Sequence, residues 1–225
     1  MRRVVLLACG ILSSLLYVGA NVVGARRWSS YRLRSQTVSE LSAIGAPSRP
    51  MVIPLMTGHG ALLIPFGFGV REAAGRRRGL RATGALLVAL GVSDLPAPVF
   101  PMHQREALTR GEGSRTDTMH IIVTGANSLL IVLATGFGST AFGRRFRVYS
   151  VGTIVVLLMT GGLTATQASR LEANLPTPWT GVSERISIGG YLLWQAVLAT
   201  MLIGAEAKGQ SGRELPGKRP GTGRF

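Results

Sequence analysis

Six long apolar runs constrain this chain more than any other feature of its sequence. Each run is about 20 residues long, which is the length that an α-helix needs to cross the hydrocarbon core of a bilayer. The runs are Val4–Val23, Met51–Val70, Leu80–Val99, Met119–Gly138, Val148–Gln167 and Ile186–Ala205. Since backbone N–H and C=O groups inside a bilayer must pair within their own segment, each run is predicted to be a helix. The sequence therefore predicts an all-α fold, with residues 1–207 forming one polytopic membrane domain, a compact bundle of six transmembrane helices.

The small residues within these runs indicate how the helices pack. Gly, Ala, Ser and Thr are frequent in all six runs and let helices approach closely in lipid, either within one chain or between subunits of a homo-oligomer. The third run is the least regular, because Asp94, Pro96 and Pro98 interrupt its far end. Residues 208–225 are rich in Gly, Pro and Arg, and are predicted to be a disordered cytoplasmic tail held near anionic lipid by its basic residues.

Composition and charge exclude several classes of protein. Charged residues make up 16% of the chain, against about 25% in a soluble domain. Lys and Arg number 25 and Asp and Glu number 10, for a net charge of +15, but the basic residues flank the apolar runs and form no single stripe. This pattern is typical of membrane proteins, so we expect membrane lipids and not nucleic acid as partners. A single cysteine, Cys9, excludes an intrachain disulfide and a Cys-type zinc site.

The basic residues also predict an orientation. The side that carries both termini holds 15 of them and the opposite side holds 10. The positive-inside rule therefore places the N- and C-termini in the cytoplasm, and the expected location is the cell (plasma) membrane. An alternative concerns the first run, because Arg2–Arg3, the apolar stretch and Val18–Ala20 also fit a cleavable signal peptide. Cleavage would leave five helices with the same outer face.

Acidic residues and histidines gather on the predicted outer side. His59, His103 and His120 all lie there. So do seven acidic residues, Glu40, Asp94, Glu106, Glu112, Asp117, Glu172 and Glu184. Ionisable groups within a membrane span are functional candidates, which applies best to His59 and Asp94. The three histidines are candidate ligands of a divalent metal, although their spacing matches no local metal motif and a plain hydrogen-bonding role is the alternative.

Helix capping explains several of the polar residues. Thr37-Val38-Ser39-Glu40 fits a capping box, with Thr37 as the N-cap of a short interfacial helix before the second span. Ser183 is predicted to cap the sixth span, with Glu184 favoured by the helix dipole, and Asp117 to cap the fourth. For Ser39 and Glu40, a place in a functional loop is the alternative.

Other catalytic signatures are absent from the sequence. The chain has no phosphate-binding Gly-Lys-Ser/Thr loop, so ATP-driven work is not indicated. It also has no Gly-x-Ser-x-Gly nucleophile elbow.

Four separated motifs support a family resemblance. They are QTVSELSAIGAPSRP before the second span, the Phe100-Pro101 turn, His120 at the start of the fourth span and GVSERI before the sixth. Together they resemble the bacterial and archaeal membrane family called domain of unknown function 998, over roughly Val4 to Ala205. That family is distantly similar to a eukaryotic six-helix group linked to lipid remodelling. The resemblance implies a membrane protein with an outer polar cluster and no established reaction.

The resemblance also singles out residues. The positions that match the family are Ser39, Glu40, Pro101, His120, Glu184 and Arg185. Where the family often has an acidic residue shortly after Phe-Pro, this chain has His103. That departure weakens an acid-based catalytic hypothesis and favours a metal-based one.

The first functional hypothesis is a lipid-handling protein, whether a hydrolase, a remodelling enzyme or a lipid-binding protein. In its catalytic form, Asp94, His103 and His120 hold a metal or act as general acid and base, while Glu184 and Arg185 organise the rim.

Two further hypotheses belong to other classes. One is a small-solute transporter or channel, for which Pro54, His59 and Pro65 interrupt the second span. The other is a non-catalytic membrane partner or sensor.

Overall fold

Helices account for nearly all the regular structure in the computed structural model, which describes residues 1–95 and 99–214. The α-helices are α1 (Arg2–Arg27), α2 (Arg49–Ala74), α3 (Arg78–Asp94), α4 (Arg105–Thr109), α5 (Arg115–Gly138), α6 (Arg144–Ala165), α7 (Ala168–Glu172) and α8 (Thr180–Glu214). A 3-10 helix covers Ser39–Ser42. Within the described ranges, the β-pairing is a single bridge between Ile44 and His103.

The six long helices coincide with the six predicted apolar runs, and five of them are long and apolar enough to cross a membrane. These candidate spans are Arg2–Arg27, Arg49–Ala74, Arg115–Gly138, Arg144–Glu172 and Thr180–Lys208. Helix α3 has 17 residues and ends at Asp94, and it is not among them. The all-α, multi-pass membrane architecture is confirmed, whereas the sixth span is not. The interruption predicted at Pro96 and Pro98 lies outside the described residues.

The long helices form a closed ring. Consecutive long helices pack side by side, and α8 returns to pack against both α6 and α1. Fully buried Leu63, Phe66, Leu87 and Trp194 lie in the core between them. The outward sides of α5 and α6 expose large apolar residues, as expected for surfaces that face lipid chains.

Helices α2 and α3 pack closely against each other, and glycines make this contact. Gly60 and Gly67 lie two turns apart on α2, and Gly84 and Gly91 lie two turns apart on α3, so each pair occupies one face of its helix. A Cβ added at Gly67 would lie 2.6 Å from the carbonyl oxygen of Gly84, and one added at Gly91 would lie 2.7 Å from that of Gly60. Any side chain at these positions would push the two helices apart.

The two ends of the bundle differ in construction. At the end that carries the N-terminus, Arg2 pairs with Glu72, and Arg3 pairs with Glu206 at 2.8 Å. Helix α8 continues past this end to Glu214, so the first residues of the predicted tail are helical. The remainder of that tail, residues 215–225, lies outside the described residues. At the opposite end, the connecting segments 28–48, 99–114 and 166–179 form a folded cap, called here the loop cap.

We expect Gly67→Ala to destabilise the bundle, because the added methyl group would overlap the backbone of α3. Overpacking of this kind costs about 1–3 kcal/mol, which thermal unfolding of the detergent-solubilised protein would register as a lower midpoint. Gly152→Ala is the matched control, since a Cβ there meets nothing within 4 Å. Equal midpoints for the two variants would contradict the proposed role of the glycine contact.

Candidate functional site

A buried ion pair lies at the centre of the loop cap. The carboxylate of Glu40 accepts hydrogen bonds from Nε of Arg105 at 2.7 Å and from Nη2 at 2.9 Å. Glu40 is 1% exposed and Arg105 is 8% exposed. Arg105 also donates to Thr177 Oγ1 at 2.7 Å and to the Ser35 carbonyl oxygen at 2.8 Å. One guanidinium therefore joins all three connecting segments.

The reciprocal hydrogen bonds predicted for Thr37 and Glu40 are present, although the N-cap of the 3-10 helix is Val38 and not Thr37. The Thr37 backbone N–H donates to Glu40 Oε2 at 2.6 Å, and the Glu40 backbone N–H donates to Thr37 Oγ1 at 3.3 Å. The segment that follows is one turn of 3-10 helix, and the chain then turns at Gly45, whose φ is +82°. Glu40 thus has both a capping role and a long-range partner, of which the sequence predicted only the first.

Glu184 and Arg185 attach the start of α8 to the first connecting segment. Arg185 Nη1 donates to the carbonyl oxygens of Leu33 at 2.9 Å and of Gln36 at 3.0 Å. The Glu184 carboxylate accepts from the Val38 backbone N–H at 2.5 Å. These two residues, which the resemblance singled out, therefore organise the rim of the loop cap.

Tyr31 completes this attachment. Its ring lies under the Arg185 guanidinium, 5.5 Å from the guanidinium carbon, and its hydroxyl donates to the Thr37 carbonyl oxygen at 2.6 Å. Burial raises the pKa of Tyr31 to about 12, although the charge of Arg185 opposes that shift. The phenol therefore stays protonated, and keeps donating, at any physiological pH.

Two predicted helix caps are wrong. Helix α8 begins at Thr180, so Ser183 lies inside its first turn, where its hydroxyl donates to the Thr180 carbonyl oxygen at 3.1 Å. The N-cap of α5 is Ser114, and Asp117 is the reciprocal member of that capping box, accepting from the Ser114 backbone N–H at 2.8 Å. Both helices begin about one turn earlier than predicted, and for α5 the reason is that Ser114 offers the capping geometry.

The three histidines have different neighbours. His103 Nδ1 lies 2.8 Å from Asp117 Oδ2, and His120 Nδ1 lies 3.1 Å from the Phe100 carbonyl oxygen. His59 lies inside the bundle, where its Nδ1 contacts Ser13. Over residues 1–95 and 99–214, no three His, Cys, Asp or Glu side chains are grouped so that they would hold a metal ion. The predicted metal ligands therefore do not come together as one group.

The predicted catalytic residues are likewise divided among separate contacts. Asp94 lies beside His59 and accepts from Asn127 at 2.8 Å. The side chain of His103 contacts Asp117, and that of His120 contacts the carbonyl oxygen of Phe100. Glu184 and Arg185 both contact the first connecting segment. Their catalytic role stays a prediction.

An open groove of about 520 Å³ runs beside the rim of the loop cap. It is lined by Leu33, Arg34, Trp179, Val182, Arg185 and Ile186. The guanidinium carbon of Arg34 lies 3.6 Å from the ring centroid of Trp179, so the two side chains are stacked. Trp179 is 59% exposed. Sequence reasoning missed Arg34 and Trp179, although a Trp beside a span end is a signal for a membrane interface.

The fold and the loop cap define a class, a multi-pass helical membrane protein with a structured polar cap at one end. A family model described as "protein of unknown function (DUF998)" matches residues 11–201. The chain belongs to this family, as the four motifs implied. Comparisons with curated proteins and with solved structures found no significant match.

We expect Glu40→Gln to destabilise the protein strongly, because it leaves the Arg105 charge buried without a counter-ion. Breaking a buried ion pair in this way costs about 3–5 kcal/mol, which denaturant or thermal unfolding would measure. The matched control is Glu112→Gln, since Glu112 pairs with Arg110 at 2.6 Å on an exposed surface. A loss of stability no larger than that of the control would show that the Glu40 pair does not hold the loop cap together.

Proposed function

We propose that this protein binds anionic membrane lipids at the groove beside its loop cap. The observation that carries the proposal is the groove lining, which combines two guanidinium groups with apolar walls and includes no acidic side chain. An anionic headgroup matches the charge, and an acyl chain matches the apolar walls along α8. Free inorganic phosphate shares the headgroup chemistry but not the affinity for the walls.

Arg34 is the residue best placed to bind the headgroup. Its side chain is exposed, it stacks on Trp179, and it has no acidic partner among the described residues. Stacking holds the guanidinium plane in place while leaving its N–H groups free to donate to a phosphate.

Arg185 adds a second positive charge from the floor of the groove. Its Nη atoms bond to carbonyl oxygens and a phenol, which are neutral groups and do not cancel the charge. Its Nε is buried and has no hydrogen-bond partner among the described residues. The adjacent Glu184 is directed to the Val38 backbone N–H.

The apolar part of the groove suits the membrane interface. Leu33, Trp179 and Ile186 are large apolar residues that remain exposed in the isolated chain. Aromatic rings at span ends lie at the level of lipid headgroups, which is where an acyl chain and its headgroup meet. The proposal places the loop cap at the outer face of the cell membrane and both termini in the cytoplasm, supported by the 15-to-10 division of basic residues.

Arg34→Gln should weaken binding of phosphatidylglycerol about tenfold, since a charged hydrogen bond contributes about 1.5–3 kcal/mol and 1.4 kcal/mol is a factor of ten. Binding is measured by native mass spectrometry of the detergent-purified protein during lipid titration. Phosphatidylcholine, which carries no net charge, should be affected much less.

Arg32→Gln is the matched control, because Arg32 is an exposed arginine of the same segment and does not line the groove. Competition with inorganic phosphate separates the two sources of the anion, since a lipid site should resist displacement. Unchanged phosphatidylglycerol binding in Arg34→Gln, or an equal loss in Arg32→Gln, would contradict the proposal.

A further inference from the structure

Two ionisable side chains face each other inside the bundle, away from the groove, and the inference drawn from them does not rest on the proposed lipid site. His59 lies on α2, and Asp94 is the last residue of α3. Their closest atoms, Nε2 of His59 and Oδ2 of Asp94, are 3.8 Å apart. An ionisable residue within a membrane span is uncommon and calls for a functional explanation.

The contacts of Ser13 determine which nitrogen of His59 carries a hydrogen. The Ser13 hydroxyl donates to the His59 carbonyl oxygen at 3.1 Å, so toward the ring it presents only lone pairs. Ser13 Oγ lies 2.8 Å and the Ser13 carbonyl oxygen 3.0 Å from His59 Nδ1. Because both neighbours of Nδ1 are acceptors, Nδ1 is the protonated nitrogen. In the neutral ring, Nε2 is then an acceptor.

Two acceptors therefore face each other when Asp94 is ionised and His59 is neutral. A single proton on either atom turns this unfavourable contact into a donor and an acceptor. We propose that His59 and Asp94 form a binding site for one proton within the membrane domain. The proton is transferred from hydronium, which leaves as water, and binds to Oδ2 of Asp94 or to Nε2 of His59, which lie 3.8 Å apart across the contact between α2 and α3.

Among the described residues, the groups around Asp94 are neutral ones. Asn127 of α5 donates to Asp94 Oδ1 at 2.8 Å, and Tyr191 of α8 interacts with Asp94 electrostatically. From α1, the ring of Tyr17 lies 5.0 Å from that of His59. Among the described residues, no Lys or Arg forms an ion pair with Asp94.

Tyr17 links this region electrostatically to charged residues at the start of α8. Glu184 and Arg185, in the first turn of α8, interact electrostatically with Tyr17. Tyr17 is itself neutral at physiological pH, as is Tyr191. Asp94 and His59 are therefore the two groups at this place whose charge a proton would change.

The packing around the pair permits both the contact and the entry of a proton. A Cβ added at Gly60 would lie 2.7 Å from Cβ of Asp94, so the missing side chain lets Asp94 lie against α2 beside His59. The Asp94 side chain is 21% exposed, whereas that of His59 is 5% exposed. Asp94 is thus the group that a proton from outside reaches first, whereas His59 is shielded from solvent. A metal needs more ligands than this pair supplies.

Infrared difference spectroscopy of the purified protein tests the site directly. On acidification from about pH 9 to about pH 5, a range that covers histidine titration, a protonated carboxyl band should appear. Asp94→Asn should remove the part of that band that belongs to Asp94, whereas Glu184→Gln identifies the part that belongs to the buried carboxyl of Glu184. In His59→Gln the band should remain, but its pH midpoint should move by about one unit or more, because coupled groups titrate as a pair.

Glu206→Gln is the control, since Glu206 pairs with Arg3 at the other end of the bundle and should leave the band unchanged. A thermal midpoint for each variant establishes that it is folded. Gly60→Ala provides a second test of the pair. It displaces Asp94 without removing either ionisable group, so it should also move the pH midpoint of the carboxyl band. A band that keeps its full amplitude in Asp94→Asn, or an Asp94 midpoint that is the same in wild type, His59→Gln and Gly60→Ala, would overturn the proposal.

Discussion

The glycine-to-glycine contact between α2 and α3 is the constraint on which much of the structure depends. Lipid chains are as apolar as the side chains they touch, so no hydrophobic force drives helices together inside a bilayer. Association depends on close packing, and the absence of side chains at Gly67 and Gly84 brings the two backbones into contact. The same approach at Gly60 places Asp94 beside His59.

The loop cap depends on a different interaction, which holds three segments of irregular backbone together at a membrane surface. Burying two charges is expensive, and a pair such as Glu40 and Arg105 is tolerated only when every other donor and acceptor is satisfied. Thr37, Thr177 and Ser35 meet that requirement. The arginines of the loop cap therefore differ in whether an acidic side chain neutralises their charge. Arg105 is neutralised and structural, whereas Arg34 is exposed and has no acidic partner among the described residues.

Local features of this fold were predictable from the sequence, and long-range features were not. The positions of the six long helices follow from apolar run length, and the Thr37–Glu40 capping box follows from a spacing of three residues. The pair of Glu40 and Arg105 joins residues 65 positions apart, and which connecting segments meet depends on the order of helices around the ring. No periodicity in the sequence encodes that order.

The prediction of a metal site illustrates the same limit. All three histidines do lie toward the predicted outer side in sequence, but a shared side does not imply a shared site. His103 contacts an aspartate, His120 contacts a backbone carbonyl, and His59 contacts Ser13 within the core. The span predicted through α3 is not confirmed, and α3 ends at Asp94, the first of the residues that were predicted to interrupt this run.

Tyr17 interacts both with the pair of His59 and Asp94 and with Arg185, which lines the groove. Its ring packs edge-on against His59, and its hydroxyl interacts electrostatically with Asp94, Glu184 and Arg185. Charges interact over longer distances in a protein interior than in water, because the effective dielectric constant is lower. If the groove holds an anionic headgroup and the pair holds a proton, the two ligands carry opposite charge and each favours the binding of the other. By thermodynamic linkage this effect is reciprocal. A lipid bound at the surface would strengthen proton binding in the bundle, and a bound proton would strengthen lipid binding, without any change in the helix packing.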